Sequence, residues 1–134
     1  MKYAVVGTGS RSELFISALV NEYRSDHELV ALCDSNPQRI KYHQERIRSQ
    51  SPDVEVQGFK SEDFDLMIRS KNPDVVIVTT VDAQHHMYII KALQMGCNVI
   101  TEKPMTTSEK NCRDILKAVD QTGRDVRVAF NYRW

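Results

Sequence analysis

Tyr3-Ala4-Val5-Val6 runs without a break into Gly7-Thr8-Gly9-Ser10-Arg11-Ser12, and Leu14, Phe15, Ala18 and Leu19 follow at helical spacing. A short apolar strand that turns on two glycines into an amphipathic helix is the opening of a βαβ unit. Gly7 allows the tight turn, and Gly9 lets a ligand approach the main chain with no side chain in the way. The first helical turn offers unpaired N–H groups and a positive dipole end. The pattern is G-x-G-x-x-S. Ser12 stands at the third glycine's place and is small enough for the close helix-to-strand packing needed there. Two glycines also fit a plain strand-to-helix turn, so the rest of the chain has to decide.

Outward from this stretch, short apolar segments alternate with helical stripes and almost no filler. Strands are expected at residues 3–6, 29–33, 54–57, 75–79, 98–101 and 126–130. The runs at Leu29 and Val75 are nearly continuous in apolar residues, as a parallel sheet covered on both faces requires. Between them lie the stripes Ile40, His43 and Ile47; Phe64, Met67 and Ile68; Ile89, Ile90 and Leu93; and Cys112, Ile115, Leu116 and Val119. Asn36-Pro37 reads as a helix start, Thr106-Thr107-Ser108-Glu109 as a capping box, and Gly96 and Gly123 as helix ends. The expectation is an α/β fold: a doubly wound, mainly parallel six-stranded Rossmann sheet with helices on both faces. Residues 1–134 would form one dinucleotide-binding domain with no internal boundary. Ligands of such sheets lie at the carboxyl ends of the strands, here Gly7 to Ser12, Cys33 to Ser35, Thr79 to His86 and Thr101 to Pro104.

Composition narrows the function. The 134 residues carry 18 Lys+Arg against 18 Asp+Glu, so the formal net charge is zero, and no run of four like charges occurs. A basic face that tracks nucleic-acid phosphates is not expected. The longest apolar run, Val75 to Val78, is far too short for a membrane span, and no signal-peptide pattern opens the chain, so a cytoplasmic protein is expected. Cys33, Cys97 and Cys112 have neither C-x-x-C spacing nor a histidine at ligand spacing, so no metal site, disulfide framework or nucleophile is expected.

The second strand ends in Asp34, 22 residues after Ser12. A carboxylate there can accept hydrogen bonds from both hydroxyls of an adenosine ribose; the plainer reading is a turn aspartate in Asp34-Ser35-Asn36-Pro37. Taken with the glycine turn, it favours dinucleotide binding. A 2′-phosphate beside Asp34 would be repelled and no Arg or Lys follows to neutralise it, which favours NAD over NADP. Arg39, one turn into the next helix, can stack on adenine or stay solvated. Arg11 faces either a pyrophosphate or water.

Together with Thr79-Thr80-Val81-Asp82-Ala83-Gln84-His85 after the fourth strand and Glu102-Lys103-Pro104 after the fifth, these motifs resemble the Gfo/Idh/MocA family of oxidoreductases along the whole chain. The resemblance implies that Gly7, Thr8, Gly9, Ser10, Arg11 and Ser12 surround the pyrophosphate, and that Asp34, with Ser35 beside it, meets the adenosine ribose. Thr79, Thr80 and His85 would line the nicotinamide half. Glu102, Lys103 and Pro104 would sit against the nicotinamide ribose and ring, with Lys103 also reaching the substrate hydroxyl as the catalytic residue. Val81 stands where the family often has proline. Asn131-Tyr132-Arg133 matches the segment entering the family's second domain, with Arg133 near cofactor or substrate.

An ammonium between cofactor and substrate can polarise a carbonyl as hydride moves, which is the chemical case for Lys103 over an ordinary surface lysine. Adjacent His85 and His86 point about 100° apart on a helix, a poor metal pair. The family's C-terminal substrate domain, with its Asp and His, is absent from these residues. The expectation is therefore the NAD(P)-binding domain of an oxidoreductase acting on a sugar, polyol or related hydroxyl or keto substrate, with negligible turnover alone and a possible homo-oligomeric state. The alternative is a stand-alone nucleotide-binding or sensor module.

Overall fold

Ala4, Val5 and Val6 are all completely buried, which places the first strand in the middle of a sheet covered on both sides. In the computed structural model, which describes residues 1–130, six strands form this sheet. They are β1 (Lys2–Val6), β2 (Glu28–Asp34), β3 (Gln57–Lys60), β4 (Val75–Val78), β5 (Asn98–Glu102) and β6 (Val126–Ala129). Their order is β3-β2-β1-β4-β5-β6 and every neighbouring pair is parallel. The chain reverses direction across the sheet between β1 and β4, which opens a crevice at their carboxyl ends.

Five helices carry the crossovers: α1 (Ser12–Val20), α2 (Pro37–Gln50), α3 (Phe64–Lys71), α4 (His85–Gln94) and α5 (Glu109–Thr122). Side chains of a strand alternate between faces, so Val5, Leu32 and Ile77 meet Ile16, Leu19, Ile40 and Ile47 of α1 and α2. On the opposite face Val6, Val76, Val78 and Val99 meet Met67, Ile89, Leu93 and Ile115 of α3, α4 and α5. Each fully buried aliphatic side chain contributes about 1.5–3 kcal/mol, so both layers are firmly fixed to the sheet.

Five of the expected strands lie within one residue of their observed ends. The third does not. Residues 54–57 carry the alternation of a strand, but Val54 and Val56 pack against the α1/α2 core from a loop. The strand itself is Gln57-Gly58-Phe59-Lys60, paired with Ala31 to Asp34. Gly58 hides it: a Cβ there would stand 2.6 Å from the Ile40 side chain of α2, so packing excludes the β-formers that would mark the strand.

Asn36 caps α2 through its side chain, which accepts from the Gln38 N–H, and Pro37 follows at the first helical position, as expected. The capping box at Thr106 is not formed. Ser108 caps α5, and Glu109 is its first residue. Thr106 Oγ1 instead accepts from the Ser108 N–H at 3.4 Å, a local turn that competes with helix entry.

Candidate cofactor site

The turn after β1 is stitched to both neighbouring strands. Gly7 N–H donates to Cys33 O at 2.8 Å, Thr79 N–H donates to Val6 O at 2.9 Å, and the Thr79 hydroxyl donates to Gly7 O at 2.6 Å. Gly7 has φ +85°, and a Cβ on it would lie 2.5 Å from the Thr80 nitrogen. Only glycine fits this crossing point. At Gly9 a Cβ would meet nothing within 4 Å, so the main chain borders open space. That space, at the end of a turn leading into α1, fits a pyrophosphate held by backbone N–H groups.

Asp34 is 4 % exposed. Its Oδ2 accepts from the Thr8 N–H and from the Thr8 hydroxyl at 2.5 and 3.0 Å, and its Oδ1 accepts from the Asn36 N–H at 2.8 Å. The turn reading of this residue is thus realised, and the same carboxylate braces the glycine turn. Each carboxylate oxygen has more than one lone-pair direction, so Oδ1 keeps capacity for a ligand hydroxyl.

His43 was legible only as part of an apolar stripe. It is buried beneath the glycine turn, with Nε2 3.2 Å from Thr8 O and 3.4 Å from Ser12 Oγ. A carbonyl can only accept, so Nε2 carries the proton. Burial holds the ring's pKa below its ordinary value, against the opposing pull of the Thr8 carbonyl and the Asp34 charge. The Ser12 hydroxyl is fully buried and donates to Gly9 O at 2.7 Å. It adds a bond that a third glycine would lack.

A cleft of about 320 Å³ opens over these strand ends. Of the expected residues, Gly7, Gly9, Ser10, Arg11, Asp34, Ser35, Thr79 and Thr80 border it, and Arg39 stands exposed on its edge. Thr8, Ser12 and His85 are buried and do not border it, and neither do Glu102, Lys103 and Pro104. Val81 and Gln84, within the expected stretch Thr79 to His86, border it as well, and two further residues do that sequence reasoning did not find: Ser61 and Tyr88. Ser61 directly follows β3, so misplacing that strand also concealed its end.

Arg11 faces Glu102. Its guanidinium donates to Glu102 Oε1 at 2.6 Å, and the carboxylate is almost fully buried while the arginine is half-exposed. Glu102 Oε2 accepts from the Lys103 N–H at 3.2 Å. The glycine turn and the Glu102-Lys103-Pro104 segment, 91 residues apart, are thereby joined across the top of the sheet. Lys103 and Pro104 are exposed, and Lys103 forms no ion pair among the described residues. His85 is not solvated: its two ring nitrogens face the Pro104 and Thr80 carbonyl oxygens, leaving neither for a metal. Val81 has φ −70°, the value a proline ring would fix, and ψ 143°, which proline also adopts, so valine here keeps the loop path a proline would take. Arg133 lies outside the described residues.

Two of the three thiols, Cys33 and Cys97, are inert. Burial, with Asp34 and Asp63 nearby, pushes Cys33 up to about 12, and burial pushes Cys97 up to about 11. Among the described residues no helix is long and apolar enough to cross a membrane.

The family model of the Gfo/Idh/MocA oxidoreductases, described as an oxidoreductase family with an NAD-binding Rossmann fold, matches residues 1–130. The Bacillus subtilis protein YteT is 36% identical over 130 residues, 96% of this chain and 29% of its own. An inositol 2-dehydrogenase/D-chiro-inositol 3-dehydrogenase of Halalkalibacterium halodurans is 27% identical, covering 100% of this chain and 36% of its own. The WlbA dehydrogenase of Chromobacterium violaceum, solved with NADH and UDP-GlcNAcA, superposes with a TM-score of 0.84 at 28% identity. That match covers 96% of this chain and 34% of WlbA. The chain thus spans about a third of the length of these relatives. It belongs to the Gfo/Idh/MocA family of oxidoreductases, and residues 1–130 are an NAD-binding Rossmann domain.

Proposed function

We propose that this domain holds NAD in the crevice at the ends of β1, β2 and β4, and serves hydride transfer between the cofactor and a hydroxyl or keto carbon of a sugar or polyol. The observation that carries the proposal is the open main chain at Gly9 beside the Asp34 carboxylate. Backbone N–H groups of residues 9–11 would hold the pyrophosphate, the Ser12 N–H being taken by Gly9 O, and Asp34 Oδ1 a ribose hydroxyl. Bound nicotinamide supplies the hydride acceptor or donor. The Lys103 ammonium stands at the neighbouring strand end, where it would polarise the substrate oxygen and exchange its proton. The substrate class rests on a relative named for inositol and on one solved in complex with UDP-GlcNAcA. Most of the substrate's wall would come from chain such as these longer relatives possess. Buried, protonated Cys33 and Cys97 are compatible with a reducing, cytoplasmic setting.

Asp34 would also repel a 2′-phosphate, giving NAD preference over NADP. Calorimetric titration of the chain with NAD, NADH and NADP tests both parts. Binding of NAD or NADH is expected, with NADP weaker; no heat with any of the three would refute cofactor binding, and equal affinity for NADP would refute the preference.

A further inference from the structure

His85 is completely buried at the start of α4, yet it is not an inert filler. Its Nδ1 lies 2.8 Å from Pro104 O and its Nε2 lies 3.0 Å from Thr80 O. Carbonyl oxygens only accept, so the ring is the donor in whichever contact carries the proton. The two oxygens belong to different loops: Thr80 borders the cleft after β4, and Pro104 follows Lys103 after β5. The β4/β5 ladder ends at Val78 and Thr101. Beyond that pair, the polar contacts joining the two loops among the described residues run through the His85 ring.

We propose that His85 is a positioning residue that couples the Thr80 wall of the cleft to the Lys103 turn, so that a ligand seated against Thr79 and Thr80 is felt at Lys103. The inference rests on the functional reading above for the identity of that ligand, but the coupling itself is a property of the empty protein. The ring N–H can donate to one of the two carbonyls while the opposite edge of the rigid imidazole packs against the other, so the ring touches both loops, which an aliphatic side chain can do only without a hydrogen bond. Coupling of this kind is reciprocal: whatever orders one loop orders the other.

The test compares the unmutated chain with His85→Leu and His85→Gln by amide hydrogen exchange and NADH titration, both followed by NMR. In the cofactor-free chain, His85→Leu should quicken exchange at the Lys103 amide by roughly five- to tenfold, the equivalent of about one lost hydrogen bond. The NADH-induced shift at Lys103 should fall by at least about twofold while NADH still binds. His85→Gln should recover part of one effect. Unchanged exchange and an unchanged NADH response in His85→Leu would overturn the proposal. Should His85→Leu fail to fold, couplings across the hydrogen bond from the ring N–H decide it: coupling to the Pro104 carbonyl carbon supports it, and coupling to Thr80 alone or to neither refutes it. If the unmutated chain binds no NADH, the cofactor reading fails, while the exchange measurement still judges the clamp.

Discussion

A methyl group added at Gly7 would land 2.5 Å from the Thr80 nitrogen, whereas one added at Gly9 would meet nothing within 4 Å. The two glycines of one motif therefore answer to different demands. Gly7→Ala should lose about 2–4 kcal/mol in urea unfolding, from the positive φ and the backbone clash together. Gly9→Ala should unfold within about 0.5 kcal/mol of the unmutated chain, yet bind NADH about tenfold more weakly, because its methyl would occupy the pyrophosphate's place. An affinity unchanged in Gly9→Ala would locate the phosphates elsewhere. Among the cysteines, the half-buried Cys112 should react first with iodoacetamide, since Cys33 and Cys97 remain thiols at neutral pH. Mass spectrometry after brief labelling reads this directly.

At the level of elements, α2 does more than cover the sheet. It places His43 under the glycine turn, and burial lowers that ring's pKa below 6.5 in the folded state. An unfolded histidine binds its proton near pH 6.5, so between that value and the lower folded one the unfolded chain holds more protons. The stability due to neutral His43 is complete above about pH 6.5 and is lost as pH falls through the folded value. Urea midpoints measured from pH 7.5 down to 5 should therefore drop less steeply in His43→Gln than in the unmutated chain. Equal slopes would show that His43 is not the group responsible. The same helix explains what could be read from residues and what could not. Local chemistry revealed β1, the glycine turn, Asp34 and the Asn36-Pro37 start, because each announces itself within a few positions. Strand β3 was displaced because Gly58 answers to Ile40 on a different element, and Ser61 was lost with it. His43 shares the spacing of Ile40 and Ile47, so periodicity recorded its burial but not its bond to Thr8. The Arg11–Glu102 pair is separated by 91 residues and becomes visible only when β1 and β5 are placed in one sheet.

For the molecule as a whole, a cofactor that binds only the folded chain must stabilise it. NADH at about a hundred times its Kd should add about 2.7 kcal/mol, a rise in Tm on the order of 10 °C for a chain of this size. Mixed with NAD and inositol, the 134-residue chain should still produce negligible NADH absorbance, since orientation of the two reactants supplies up to about 7–11 kcal/mol of a barrier and Lys103 stands exposed. The bonds from Asp34 to Thr8 reach further than affinity. To admit a 2′-phosphate, a mutational path would first discard the Asp34 charge, and that step also strips the partner from the Thr8 amide and hydroxyl. On the proposed reading of Asp34, cofactor preference in this domain is inherited together with the stiffness of its first turn. On that reading a switch from NAD to NADP would call for two coordinated changes, one to welcome the new ligand and one to re-anchor the loop.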